Sequence, residues 1–237
     1  RLTHNLAGNL SISGTLLMHS SPFNSKGPAD AQRNAGIPDT QIQLKYHTEN
    51  LLIGGTAGYK VLRPRLQTDM GVKTDKMIGS YNLQAFLKAQ RKNTTLKLQT
   101  VYGTNLSSYL MIGGYGAKQD PTLVDDYDYQ NLATWSIWGE LTTSIEKFKL
   151  GLFYGYMETW GAQGDYYSLG YEMGGDMANL NRISPRVYYV MEKVAFGLEY
   201  LVTGAVYVEE CDESNMPVVC ADPVRNHRIL MSASYSF

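Results

Sequence analysis

Apolar and polar residues alternate one by one along almost the whole chain. That period belongs to the β-strand, whose successive side chains point to opposite faces. Ile42, Leu44 and Tyr46 interleave with Gln41, Gln43, Lys45 and His47. Leu83 and Leu87 interleave with Asn82, Gln84 and Lys88, and Ile53, Tyr59 and Val61 with Gly54, Thr56 and Lys60. Leu96 and Leu98 flank Lys97, while Ile137 and Leu141 fall between Ser136, Glu140 and Thr142. Leu152 and Tyr154 alternate with Lys149, Gly151 and Gly155, Ile183 and Val187 with Arg182, Ser184 and Arg186, and Phe196, Leu198 and Tyr200 with Gly197 and Glu199. At the end of the chain Ile229, Met231, Ala233, Tyr235 and Phe237 share one face and Arg228, Ser232, Ser234 and Ser236 the other, with Leu230 the misfit. No helix-period segment of useful length competes.

The pattern predicts strands over 9–18, 41–47, 51–62, 76–88, 94–103, 131–142, 147–158, 181–191, 194–208 and 227–237. The intervening connections alternate in length: 19–40, 63–75, 104–130, 159–180 and 209–226 are long, and 48–50, 89–93, 143–146 and 192–193 are short. Short turns at one end and long loops at the other belong to an antiparallel transmembrane β-barrel of the outer membrane. A soluble β-sandwich would bury its apolar face and mix its connection lengths. Composition agrees with lipid on one face and water on the other. Charged residues are 18%, against about 25% in an ordinary globular chain. Tyrosine (18) far outnumbers phenylalanine (6) and tryptophan (3), as an interfacial girdle requires. No run of apolar residues is long enough for a transmembrane helix, which does not bear on a strand-built span.

The polar face carries the chemistry. Lys45, Lys60, Lys88, Lys97, Lys149, Arg182, Arg186 and Arg228 stand on it against Glu140 and Glu199. Charges on a channel wall set ion preference, so these residues predict a pore lining that favours anionic or neutral solutes. An equal reading makes the cations braces paired to Glu140, Glu199 and backbone carbonyls, and Lys88 and Lys149, at the short-turn end, are read also as meeting phospholipid headgroups. The long 104–130 loop contains Tyr109-Leu110-Met111-Ile112-Gly113-Gly114-Tyr115, too apolar to sit freely in water. It is expected to fold inward as a constriction, extend a strand, or latch onto a neighbouring subunit. Asp120, Asp125, Asp126 and Asp128 in that loop, and Glu209, Glu210, Asp212, Glu213 and Asp222 in the 209–226 loop, are read first as solvated acids, with divalent-ion bridging the rival. Cys211 and Cys220 lie nine residues apart in the latter loop and are expected to form a local disulfide if it faces an oxidising exterior. No HExxH, no Gly-x-Ser-x-Gly elbow and no P-loop lysine–hydroxyl pair occurs, and His4, His19, His47 and His227 are scattered, so neither an enzyme nor a cofactor is expected.

The stretch from Asn226-His227-Arg228 to Tyr235-Ser236-Phe237 resembles the terminal strand of outer-membrane barrels. That resemblance implies that Tyr235 and Phe237 form an assembly signal read by the barrel-assembly machinery. Gly27-Pro28, Gln32-Arg33-Asn34 and Ile37-Pro38, together with Arg182-Ile183-Ser184-Pro185-Arg186-Val187 before Gly197-Leu198-Glu199-Tyr200, resemble porin-like barrels of Gram-negative bacteria. Relatives of that group are longer. The resemblance therefore implies that residues 1–237 are one barrel domain that lacks N-terminal strands of a barrel of about 16, although a closed ten-strand barrel satisfies the even count. Arg1-Leu2-Thr3-His4 opens directly into strand-like sequence, so either an export signal has been removed or the chain starts partway into a longer protein. The function expected is a passive outer-membrane channel for small hydrophilic solutes. Its rivals are a sealed accessory barrel of a larger complex and a barrel protease with acids at its rim. Expected partners are outer-membrane lipid, lipopolysaccharide and further copies or subunits, with no nucleic acid.

Overall fold

The computed structural model describes residues 1–18 and 27–236. Two residues singled out in the sequence, the terminal Phe237 of the assembly signal and His19, lie outside the described residues. The chain forms β1 (Leu2–Ala7), β2 (Leu10–Leu17), β3 (Asp39–His47), β4 (Leu51–Leu62), β5 (Ile78–Arg91), β6 (Thr94–Thr104), β7 (Gly113–Ala117), β8 (Tyr129–Asn131), β9 (Ala133–Ile145), β10 (Phe148–Thr159), β11 (Glu172–Met173), β12 (Met177–Met191), β13 (Val194–Cys211), β14 (Pro217–Cys220) and β15 (Val224–Tyr235). A short helix, α1 (Ala31–Ala35), lies in a long loop.

All ten predicted strands are present, within a few residues of their expected bounds. They pair antiparallel in chain order, β6 beside β9 and β10 beside β12 where a long loop intervenes. β13 is long enough to pair with β15 along its first part and with β14 beyond it. Of the strands not expected, β7, β8, β11 and β14 lie in the long loops, and β1 extends the main sheet, joined to β2 through Gly8 and Asn9. Its side chains are exposed on both faces, so alternation there has little to organise. The β12–β13 ladder lapses at Ser184 and Pro185, because proline has no N–H to give. Short hairpins turn through Lys92, Glu146 and Glu192, each at positive φ. Among the described residues no ladder joins β1 to β15, and the sheet is open at those two edges.

Burial is inverted relative to a water-soluble sheet. Ile42 is 55% exposed, Leu83 51%, Leu152 47% and Phe196 49%, whereas the polar neighbours Thr56, Ser136 and Ser184 are buried. Val187 is half-buried on the same outer face. Apolar side chains turned outward along strand after strand are stable only where the surroundings are apolar too. Near the long-loop end, outward rings form a continuous band: Tyr81 to Tyr102 (6.1 Å between centroids), Tyr102 to Trp160 (5.2 Å), Trp160 to Trp135 (6.4 Å) and Trp135 to Tyr156 (6.1 Å). Rings with one apolar body and one polar edge suit a membrane–water boundary.

The apolar core lies in the long loops. Ala31 of α1, Leu62, Ile78, Tyr115, Tyr127 and Tyr129 pack together, with Leu169 and Tyr171 against them. Arg65 stacks on Tyr127 at 4.0 Å and donates from Nε to the Tyr129 hydroxyl at 3.2 Å. β7, β8 and β11 form a small sheet inside this cap. The acids of the 104–130 loop tie loops together. Asp125 accepts from the Asp69 amide, Asp126 from the Thr74 hydroxyl and Asp128 from Lys76 at 2.7 Å. Lys76 holds the Asp128 carboxylate below the usual range. Among the described residues no three histidines, cysteines or acids converge as metal ligands would.

The disulfide expected between Cys211 and Cys220 is not formed; both are exposed free thiols. They sit on the two arms of one hairpin, but Cys220 faces Val208 and Cys211 faces Pro217. The ladder is irregular on β13 between these two pairs, and its register sets neither cysteine opposite the other.

Candidate functional site on the inner face

The face opposite the apolar one carries the predicted polar residues, and the register explains why. Paired residues on antiparallel neighbours share a face. Lys97 pairs with Glu140, Arg186 with both Gly151 and Glu199, Lys45 with Gly54, and Arg228 with Leu201. Lys45 is half-buried, and Arg228 stands exposed on the edge strand β15. Arg182 donates from Nε to the Thr203 hydroxyl at 3.3 Å. Glu199 accepts from the Ser184 hydroxyl.

Glu140 brings two expected residues together. It receives Lys97 at 2.7 Å and forms an ion pair with Arg186. Gly151 makes this possible: a Cβ there would lie 2.7 Å from Arg186 Nε. Glycine in the interior of a strand lets the guanidinium lie flat across the wall. Lys149 lines the same recess of about 330 Å³ and has no carboxylate partner among the described residues. The cluster holds Lys97, Lys149 and Arg186 against Glu140 and, across the β12–β13 ladder from Arg186, Glu199, a surplus of one positive charge.

Lys60 is placed differently from the other wall cations. It is 6% exposed, and its Nζ donates to the Asn105 carbonyl at 2.6 Å and to the Ser108 hydroxyl at 3.0 Å. Asp39 lies within electrostatic reach. Lys60 therefore anchors the start of the 104–130 loop to the wall. Beside it the Tyr109 hydroxyl takes amide donors from Gln41 (3.1 Å) and Asn82 (3.2 Å), inner residues of β3 and β5. The loop folds inward, the first of the three placements its sequence allowed. Leu110 at its tip has φ +60° and is 80% exposed.

Between this tip and the wall lies a cavity of about 530 Å³. Its polar lining is Gln84, Gln99, Ser136 and Arg182. The rest is apolar: Trp138 and Phe153, whose rings lie 5.9 Å apart, continue into Met157, Leu180 and Val101, with Met111 of the loop facing them. The alternation does not advertise these residues. Trp138 is in phase with Ser136 and Glu140, and Phe153 with Gly151 and Gly155, so each interrupts a polar face instead of defining an apolar one. Phase is the signal that locates them: two bulky rings on the wet face of adjacent strands.

No protein-family model matches the chain, and no curated protein matches it in sequence. Among solved structures the chain is similar to the outer membrane channel DcaP of Acinetobacter baumannii, with a TM-score of 0.71 at 10% identity. The match covers 99% of this chain and 61% of the channel's, so the chain spans about three fifths of the length of the structure it matches. The fold is that of an outer-membrane channel: a porin-like, all-β antiparallel sheet of many strands.

Proposed function

We propose that this chain, with the fold of an outer-membrane channel, forms the wall of a passive pore for small hydrophilic solutes in a bacterial outer membrane. The single observation that carries the reading is the inverted burial: apolar side chains face outward in a continuous band while lysines, glutamines, serines and glycines line the inner face. An inward-folded loop that leaves a cavity beside the wall supports a constricted path over a sealed interior. Such a pore needs no cofactor and no bond-making step, because the gradient supplies the drive and the wall supplies radius and field. Outer-membrane lipid and lipopolysaccharide are the partners that the outward band and its aromatic girdle suit.

The surplus of positive charge at Lys97, Lys149 and Arg186, with Lys45 and Arg228 on the same face, supports a preference for anionic and neutral solutes. Reconstitution of the full-length protein in a planar bilayer tests the reading. Discrete ohmic current steps with a zero-current potential on the anion side are expected in a salt gradient. Absence of steps from correctly assembled protein would favour a sealed accessory barrel.

A further inference from the structure

The outward face carries two recesses on neighbouring strands, one on each side of the aromatic band. On the short-turn side, Gly55, Ala85 and Thr100 pair in one row across β4, β5 and β6. The rows flanking it are bulky: Leu83 faces Tyr102, and Leu87 faces Leu98. Small residues between large ones leave a trough of about 610 Å³, bounded by Leu44 and Trp135. Trp135 donates from Nε1 to the Thr100 hydroxyl at 3.0 Å, and that hydroxyl donates to the Ser136 carbonyl at 2.8 Å. The threonine is thus satisfied within the wall, and the trough offers hydrocarbon. On the long-loop side, Gly79, Thr104 and Ala133 floor a second recess of about 330 Å³, lined also by Tyr81, Gln130 and Gln163. Tyr102 and Trp135 of the trough are the outward positions next to Thr104 and Ala133 of the recess, about 7 Å along a strand. We infer that the two recesses form one site for a glycolipid, with an uncharged sugar headgroup in the upper recess and a hydrocarbon chain in the trough. The site lies on the face opposite the proposed solute path and rests only on the outward face meeting lipid.

The chemistry selects for both ends. Neither lining contains a charged side chain. Charges flanking the band are already matched: Lys76 is paired with Asp128, and Glu158 accepts from the Tyr156 hydroxyl at 2.8 Å and from Trp160 Nε1 at 2.7 Å. A phosphate or ammonium in the upper recess would find no opposite charge, and burying an unpaired charge is costly. A sugar hydroxyl both donates and accepts, as do the primary amides of Gln130 and Gln163. The Tyr81 hydroxyl donates to that of Tyr102 at 3.5 Å, at the level where head gives way to chain. In lipid there is no water to expel from the trough, so packing decides what lies in it. A chain seated in a groove touches wall on three sides, whereas a chain on a smooth wall touches it on one, and each added contact adds dispersion attraction.

The test uses the full-length protein in phosphatidylcholine nanodiscs, with Trp135 retained as the one tryptophan and the others replaced by Phe. Trp135 borders the trough, and bromine on a chain seated there quenches its emission. Bromoundecyl glucoside should quench saturably, at a mole fraction about fivefold below that needed with bromoundecyl phosphocholine, which has the same chain and a charged head. Ala85→Leu, which fills the trough, should bring the glucoside to the level of the phosphocholine. Gln130→Ala combined with Gln163→Ala should do the same and leave the phosphocholine unmoved. The two probes on the otherwise unaltered protein decide the matter if a variant fails to assemble. Half-saturation at equal mole fractions, or glucoside quenching unmoved in either variant, would overturn the inference and leave this wall in lipid. Quenching by neither probe would overturn the lipid-facing assignment as well. Displacement of the glucoside by free glucose at equal concentration would assign the recess to a soluble sugar and overturn the glycolipid.

Discussion

Ile137 and Ser136 are adjacent in β9 and meet opposite surroundings: Ile137 is 38% exposed on the outer face, and Ser136 is 8% exposed beside the inner cavity. An arginine at the bilayer midplane of a barrel costs about 2–4 kcal/mol, whereas one at 136 stands on the inner face beside Gln84 and Gln99, away from lipid. Ile137→Arg is expected to depress the yield of assembled, heat-modifiable protein strongly, and Ser136→Arg to leave most of it intact. Equal yields would overturn this assignment of the faces. Cys211 and Cys220 make a second prediction at this scale. Being free and offset by three positions across their hairpin, both should react with maleimide in the folded protein without reductant. A mass two hydrogens lighter and two unreactive cysteines would require the hairpin to slide from its register.

At the scale of elements, the constriction loop depends on few anchors. Lys60 satisfies the Asn105 carbonyl and the Ser108 hydroxyl, and Tyr109 ties the loop to β3 and β5. Lys60→Met keeps much of the stem and removes the donors. The loop should loosen from the wall, seen as faster amide exchange over 105–111 and a larger single-channel conductance. Conductance equal to the parent's would assign the anchoring to Tyr109. The cap has a pH dependence of definite sign. Asp128 is held below its ordinary range mainly by the hydrogen bond from Lys76. A depressed carboxylate contributes stability that is fully present above its unfolded pKa, about 3.9, and lost as pH falls through the lower folded value. The Lys76–Asp128 tie should therefore persist at pH 5 and give way only in strong acid. Asp128→Asn should remove that part of the acid response, read as exchange of the Lys118 amide, which donates to the Asp128 carbonyl.

For the whole molecule, the field along the inner face decides which solutes enter. Replacing Arg186 and Arg228 by Gln should move the zero-current potential toward cation preference, and Glu140→Gln should move it the other way by freeing Lys97 and Arg186. Both shifts should shrink with added salt, since the screening length is about 8 Å at physiological ionic strength. A double arginine replacement that leaves the potential unmoved would make those arginines braces and place selectivity in the constriction loop. The Arg186–Glu140 pair already shows that bracing and field coexist in one residue.

The sequence by itself determined the strands, their faces and the division into short turns and long loops, because the pleat fixes a two-residue period that lipid on one side and water on the other impose locally. Ile42 and Leu44 outward with Gln43 and Lys45 inward follow from that period alone. It also placed Lys97, Glu140 and Arg186 on one face, without saying that Glu140 holds both cations. That was decided by register across β6, β9, β10 and β12 and by the gap at Gly151, which are relations between strands distant in sequence. The inward fold of the 104–130 loop, the burial of Lys60 beneath it and the ledge of Trp138 and Phe153 were likewise tertiary outcomes. Each depends on which surfaces long-range pairing brings into contact, and the local period carries no record of those neighbours.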